Sequence, residues 1–244
     1  MALQTDDLSI PARRLKALLA PLAGDADIAI GLALLANWDD HLSRDSAAAA
    51  LFEVWWTKFL KPAVLDLLCP DPDLRPLMVP GDIETILGVL EAADPRLPNR
   101  DDLLLATIGR AVVDMRGRQG ADTTLWNWGK LHHGYFEHPL SDLMAEFKSI
   151  GPLPKGGSGS TPMNATYRGT DFRVTAGASF RMVCDVGNWD ASVCINAPGQ
   201  SGDPRSPHYA DLAEKWAAGE YVPLPYSTEA VDAAAELRLK LVPG

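Results

Sequence analysis

His132, His133 and His138, three of the five histidines, fall within seven positions of one another. A zinc site built on a helix needs histidines one turn apart, and neighbours on a strand point to opposite faces, so this spacing suits neither arrangement. Gly199-Gln-Ser-Gly202 has the start of a strained serine turn, but Asp203 stands where that turn requires a second glycine. Gly156-Gly-Ser-Gly-Ser160 has no Lys-Ser/Thr pair to complete a phosphate-cradling loop and reads as a flexible loop or linker. Cys69, Cys184 and Cys194 have neither metal-ligand nor disulfide-framework spacing, and the last two are expected as buried thiols on paired strands. No metal and no cofactor are expected. A nucleophile, its base and an oxyanion hole cannot be assembled from these residues.

The elements that would carry these residues change character near residue 120. Ser9 and Pro11 open a first helix with Leu15, Leu18, Leu19 and Leu22 at helical spacing. A second is predicted from about 25 to 36. A third is predicted from 43–45 to 60, with Trp55, Trp56 and Phe59 on a broad stripe that reads as core. Pro62, Pro70, Pro72, Pro76 and Pro80 punctuate the next stretch of chain. Helices over 82–92 and 101–115 complete the helical segment, residues 1–120. Residues 121–244 form a β-rich segment ending in two helices, 206–218 and 227–241. Residues 124–128 read as extended. From Phe172 to Val186 every second residue is apolar, which predicts one long strand with Phe180, Met182 and Cys184 buried. It should turn at 187–190 and return over 191–197. The fold class is therefore α+β, with a helical N-terminal half and a β-rich C-terminal half.

Composition excludes several functions. Of 244 residues, 22 are basic and 32 acidic, giving a net charge of −10. Such a surface repels phosphate backbones, and the closest basic group (Arg110, Arg116 and Arg118) is interleaved with Asp114 and Asp122. No nucleic acid is expected as a partner. No apolar run approaches the ~18 residues that would argue for a membrane span, and the acidic N-terminus lacks the character of a signal peptide.

What remains is a dense series of unusual residues in a definite order. A W-x-W-G-x-x-H segment runs from Trp126 to His132, followed by His138-Pro-Leu140 and the Gly-Ser loop with Asn164. Then come G-A-S-x-R-x-V-x-D from Gly177 to Asp185 and G-Q-S-G-x-P-x-S-P-H-Y from Gly199 to Tyr209. Trp216, Gly219, Tyr221, Pro223 and Leu224 close the series. This order resembles the C-terminal portion of the β chain of the penicillin acylase family, and Leu3-Gln-Thr-Asp6 and Trp38-Asp39 extend the resemblance upstream. Leu212 departs from it, standing where the family usually has Gln.

The resemblance implies an N-terminal nucleophile hydrolase with an αββα fold, of which this chain is one part. It further implies a self-cleaving precursor, a serine whose own amino group is the base, and an oxyanion held by backbone N–H and an Asn. Both groups are expected upstream of this sequence, and Met1-Ala2 exposes no nucleophile. The expected substrate is an N-acyl amide, of the β-lactam side-chain or acyl-homoserine lactone class, cleaved in the periplasm by the complete enzyme. Partners are then the upstream part of the β chain and the α chain, and this chain alone is expected to be inactive. Asp185 is the one residue to which the resemblance lends a site role, orienting a histidine near the nucleophile. Its alternative is structural, although Arg181, four residues along one strand face, would be roughly 13 Å away. A non-catalytic remnant acting as an interaction protein is the competing reading.

Overall fold

Ser9 starts the first helix as its type requires: its Oγ accepts from the Ala12 N–H at 3.2 Å, and Pro11 occupies the first turn. The computed structural model describes residues 2–78, 83–144 and 146–243. Its helices are α1 (Ile10–Leu19), α2 (Ala26–Ala36), α3 (Ala47–Val54), α4 (Lys61–Leu68), α5 (Ile83–Glu91) and α6 (Arg100–Gln119), all before residue 120. Pro80 and Asp82, read as a loop proline and a helix start, lie outside the described residues.

α3 is the central rod. Ser46 caps it at 3.1 Å through the Ala49 N–H, and every residue from Ala48 to Val54 is buried. A helix apolar on all sides needs neighbours all round, and it has them in α2, α6 and the first residues beyond 120. Trp55 is fully buried, and its indole N–H donates to Thr107 Oγ1 of α6 at 2.9 Å. Trp55 and Trp56 are therefore core, as their spacing suggested.

Pro62 does not end this helix, contrary to the sequence expectation. Residues Trp55–Leu60 widen into a π-helical turn, whose closing bond runs from the Lys61 N–H to the Trp56 carbonyl. Pro62 then falls in the first turn of α4. The wider turn gives the pyrrolidine ring room that a continuous α-helix would deny it. α6 carries Asp101 and Asp102 in its first turn and Arg116 and Arg118 in its last, matching the helix dipole. These arginines pair with Asp27 and Asp114, so the basic group is locally neutralised.

Past residue 120 the chain is short strands and turns. Residues 124–128, expected to be extended, form 3₁₀ turns at Thr123–Leu125 and Trp128–Lys130, with Asp122 and Asn127 capping them. β1 (His133–Phe136) pairs antiparallel with β2 (Ile150–Pro154), and β3 (Ala165–Tyr167) with β4 (Val174–Gly177). β5 (Phe180–Val183), β6 (Val193–Asn196) and β7 (Val222–Pro223) form a three-stranded antiparallel sheet in that order. α7 (Ala213–Ala218) and α8 (Thr228–Ala234) are both shorter than expected. Asp203, Ser206 and Pro198 take up the preceding residues in turn hydrogen bonds instead.

The long strand expected over 172–186 is two strands in two different sheets. Phe172 sits at φ +60, a left-handed conformation, and closes a tight turn from Arg168, so the strand begins only at Val174. The second part does form the expected hairpin with β6, in the register Phe180↔Asn196 and Met182↔Cys194. Its burial is inverted. Arg181 is buried, while Phe180, Met182 and Cys184 are exposed. The layer under this sheet is small (Leu153, Ile195, Ala213, Trp216 and Ala217), and it takes Arg181 because Trp216 offers a backbone carbonyl at 3.0 Å.

The double variant Phe180→Ser/Met182→Ser is accordingly expected to melt in urea within about 0.5 kcal/mol of the parent chain. A loss of several kcal/mol, the value for truncating buried side chains, would place that face in the core.

Candidate functional site

Glu53 stands in the middle of the apolar run on α3 and is 2% exposed. A carboxylate at such a position must be paired or neutralised. One oxygen, Oε2, accepts a short hydrogen bond from the Tyr167 hydroxyl at the end of β3. Tyr167 in turn exchanges a hydrogen bond with Thr57 Oγ1 at 2.6 Å, from the π-helical turn. The other oxygen, Oε1, has no hydrogen-bond partner among the described residues. The Ser158 hydroxyl lies beside the carboxylate and also pairs with Ser160 Oγ at 3.0 Å. Ser160 reaches on to Ser9 at the N-cap of α1, at 2.9 Å.

Burial dominates the electrostatics. It pushes the Glu53 carboxyl up to about 7, against the opposing pull of the Tyr167 and Ser158 hydroxyls. Burial, followed by the adjacent Glu53 charge, raises the Tyr167 phenol well above its ordinary value, so it remains a donor. The buried acid is therefore held partly protonated near neutrality. The cluster does not offer a free nucleophile. Ser158 is buried, and its hydroxyl sits between Ser160 Oγ, at 3.0 Å, and the Glu53 carboxylate.

The cluster forms the floor of a cavity of about 780 Å³. Phe52, Trp56 and Leu65 make a buried apolar wall, and the rim includes exposed Pro62, Asp66, Gly159 and Thr166. Asp66 is paired with Arg75 at 2.5 Å. Residues 156–160, expected to be a flexible loop or linker, are packed, and Ser158, Gly159 and Ser160 line this cavity. Gly157 has φ +78, and a Cβ there would lie 2.4 Å from the Met163 carbonyl, so only glycine fits.

The family-like histidine is structural. His132 is wholly buried, stacked on Trp128 with ring centroids 4.6 Å apart. Its Nδ1 and Nε2 lie 2.7 and 3.0 Å from the carbonyls of Lys155 and Ala165. Burial pushes this imidazole down to about 4, although both carbonyls favour the protonated ring. His133 faces its own loop at Leu131 O, and His138 stacks on Phe147. The structure does not bring the three histidines to one point. The one metal-capable group among the described residues is Asp6, Asp7 and His41. There, both Asp7 oxygens are taken by His41 and Ser43, so nothing beyond a hydrogen-bonded cluster is indicated.

Asp185, the residue singled out from the sequence, sits exposed in the turn after β5. Its Oδ1 accepts from the Gly187 and Asn188 N–H groups at 2.9 and 3.1 Å. Arg181 does not pair with it. Glu53 and Tyr167 were not among the sequence candidates. The readable signal was an acid inside an otherwise apolar helical run, which is costly unless used.

In comparison with known proteins, the Penicillin amidase family model matches residues 1–233. An acyl-homoserine lactone acylase of Pseudomonas putida is 30% identical over 276 aligned positions, covering 100% of this chain and 34% of that protein. The penicillin acylase 2 proenzyme of Pseudomonas sp. (strain SE83) is 36% identical over 147 positions, covering 59% of this chain and 18% of its own length. The chain thus spans about a third or less of the curated relatives it matches. The thermostable penicillin G acylase of Alcaligenes faecalis has a similar fold over 98% of this chain and 47% of that one, with a TM-score of 0.52 and 16% identity.

The pKa of Glu53 fixes a sign. A carboxyl raised from 4.5 to about 7 by folding contributes stability that is full below pH 4.5 and is lost as pH rises through about 7. Glu53→Gln removes that loss. Its stability relative to the parent chain is expected to climb between pH 4.5 and 7 by up to about 3 kcal/mol, read from urea midpoints at several pH values. A difference independent of pH would show that Glu53 is ionised throughout.

Proposed function

The chain belongs to the penicillin amidase family, and from that membership we propose that it is the C-terminal part of an amidohydrolase that cleaves N-acyl amides. Its work in that enzyme is to build the frame on which the upstream catalytic residues are held, the nucleophile and oxyanion groups being supplied by the rest of the protein. The observation that carries the reading is the use made of the family-like residues. Trp128 donates to the Gly157 carbonyl at 3.0 Å and stacks on His132, which spans the Lys155 and Ala165 carbonyls. Trp216 donates to the Ala178 carbonyl at 2.9 Å, behind the β5 sheet. These side chains tie the segment together and leave no reactive group free, as a supporting part of a larger enzyme requires.

The exposed face supports the same reading. Phe180, Met182, Val186 and Trp189 are 52, 41, 79 and 46% exposed and lie within ten residues. Apolar side chains gathered in this way favour contact with a further surface, and the upstream part of the complete enzyme is the partner we assign to them. The substrate is proposed to be an N-acyl amide of the acyl-homoserine lactone or β-lactam side-chain class, the two classes named by the relatives. Periplasmic location goes with that proposal. No helix among the described residues is long and apolar enough to cross a membrane. Asp185 retains a proposed orienting role only in that larger body, because its Oδ1 already serves the turn and only Oδ2 remains for a histidine.

The purified chain is expected to release no nitroaniline from phenylacetyl or fatty-acyl p-nitroanilide above the blank. Grafted in place of the matching C-terminal segment of the Pseudomonas putida acylase, it is expected to return acyl-homoserine lactone hydrolysis. Turnover by the chain alone, abolished by a point mutation within it, would overturn the proposal. So would a folded, processed graft with no activity.

A further inference from the structure

We propose that residues 236–242 are a β-strand whose sheet lies outside this chain, and that in the complete enzyme they pair with an exposed strand edge of the upstream part. The inference rests on the reading that such a part exists, and it concerns a contact between the two parts rather than catalysis.

The first support is the side-chain pattern. Past α8 the chain reads Glu236-Leu-Arg-Leu-Lys-Leu-Val242. Leu237, Leu239 and Leu241 alternate with Glu236, Arg238 and Lys240, the period of a strand with one apolar and one charged face. On a helix Leu239 would point about 200° away from Leu237, at 3.6 residues per turn. The helix expected to run to 241 stops at Ala234, and Ala235 is extended at φ −72 and ψ 118. Pro243 closes the run, because proline has no N–H to give to a ladder.

The second support is what the structure leaves bare. Leu237, Leu239 and Leu241 are 76, 80 and 93% exposed. Scattered surface leucines need no explanation, but three at alternate positions, followed by exposed Val242, make a continuous apolar edge. Among the described residues no backbone hydrogen bond involves 236–242. Arg238 pairs with Asp232 at 2.6 Å, on the charged face, and leaves the leucine face open. An extended segment with an apolar face and unpaired main-chain donors has the two features that strand addition uses: the ladder supplies affinity and alternate side chains supply specificity.

The neighbouring sheet of this chain does not supply the partner. Its outer strand β7 is two residues long and ends at Pro223, and at its other edge Gln4 Nε2 donates to the Met182 carbonyl at 3.1 Å. A second copy is opposed by the net charge of −10. The acylase of Pseudomonas putida aligns with all of this chain, 236–242 included, and about two thirds of that protein lies outside the match. That remainder is the occupant we assign.

The test reads amide hydrogen exchange by mass spectrometry over 235–243, in the isolated 244-residue chain and in the graft onto the Pseudomonas putida acylase. The isolated chain is expected to exchange these amides as an unstructured peptide does, and the folded, processed graft at least tenfold more slowly. Leu239→Asp is expected to restore fast exchange in the graft. Fast exchange in the folded parent graft overturns the proposal. Protection that survives Leu239→Asp overturns it too, since a docked helix would bury Leu237 and Leu241 without Leu239. Slow exchange in the isolated chain also overturns it, assigning the partner to a second copy where light scattering gives a dimer and to this chain's own surface where it gives a monomer. If the graft does not fold, replacing only the host segment aligned with 235–244 decides by the same readings, and a host that folds with its own sequence there but not with this one counts against the strand. No acyl transfer is read. A protected tail in an inactive graft therefore keeps this proposal and removes the acylase one, and a freely exchanging tail in an active graft does the reverse.

Discussion

The rest of the structure depends on the stacked pair of Trp128 and His132. The two rings lie 4.6 Å apart at an interplanar angle of 4°, and the edges of Tyr167 and Phe172 close on the indole at 5.5 and 5.6 Å. Each ring also ends on backbone: the indole N–H on Gly157 O, and the neutral imidazole, with one N–H to give, between Lys155 O and Ala165 O at 2.7 and 3.0 Å. Three segments distant in sequence are therefore held to one aromatic block. Trp126, Trp128 and Phe172 belong to the same core as α3 and α6, so that block also joins the helices to the strands. Buried aromatic pairs are worth about 0.5–1.5 kcal/mol beyond their area, and hydrogen bonds that satisfy buried carbonyls avoid a larger cost. Glu53 can sit where it does because Tyr167 is fixed on this block.

How much is legible in the sequence depends on what sets each element. Caps and acid-first helix starts are local, so α1, α2, α5 and α6 emerge from the sequence within a few residues of their bounds, Ser9 opening the first. α3 instead starts at Ala47, behind the Ser46 cap that the expected start at 43–45 passed over. Pro62 misleads because a helix can absorb a proline when the preceding turn widens, and nothing in the local sequence announces a π turn. The strand over 172–186 misleads for a different reason. Alternation reports which residues share a face and does not say which face is covered. At Phe180 and Met182 the apolar face is the open one, because the layer behind β5 is filled by Trp216 and the Arg181 stem. The family resemblance is carried by residues that pack the frame, which explains why it indicates fold and family more directly than any reacting group.

The Gly-Ser stretch teaches the converse lesson about the site. Composition makes residues 156–160 look like a linker, since glycine and serine fill flexible segments. Here glycine is present for close approach: a Cβ on Gly156 would lie 3.0 Å from the Leu42 carbonyl, and Gly157 has a positive φ. The serines serve as hydrogen-bond relays from Ser9 to the edge of Glu53. Low complexity thus hides a packed element, and that element is one wall of the cavity.

The two apolar cores differ in a way that bears on how the chain would open. Among the described residues the larger contains thirty buried hydrophobic side chains, and Glu53, kept close to neutral, lies among them. The smaller has five and encloses two cations, Lys155 and Arg181. Neither Lys155 Nζ nor Arg181 Nε has an acceptor among the described residues. Burial, with Arg181 as the lesser cause, pushes the Lys155 ammonium down to about 8. The compensation is largely aromatic: Lys155 lies 4.6 Å over the Trp216 ring and Arg181 5.4 Å over Tyr221, Arg181 also donating to the Trp216 carbonyl at 3.0 Å. Such contacts are worth about 1–2 kcal/mol when desolvated, less than the several kcal/mol that burying an ion costs. Local opening concentrates where apolar contacts are few and polar groups are strained. By that criterion the sheet carrying Phe180 and Met182 yields before the helical core that holds Glu53.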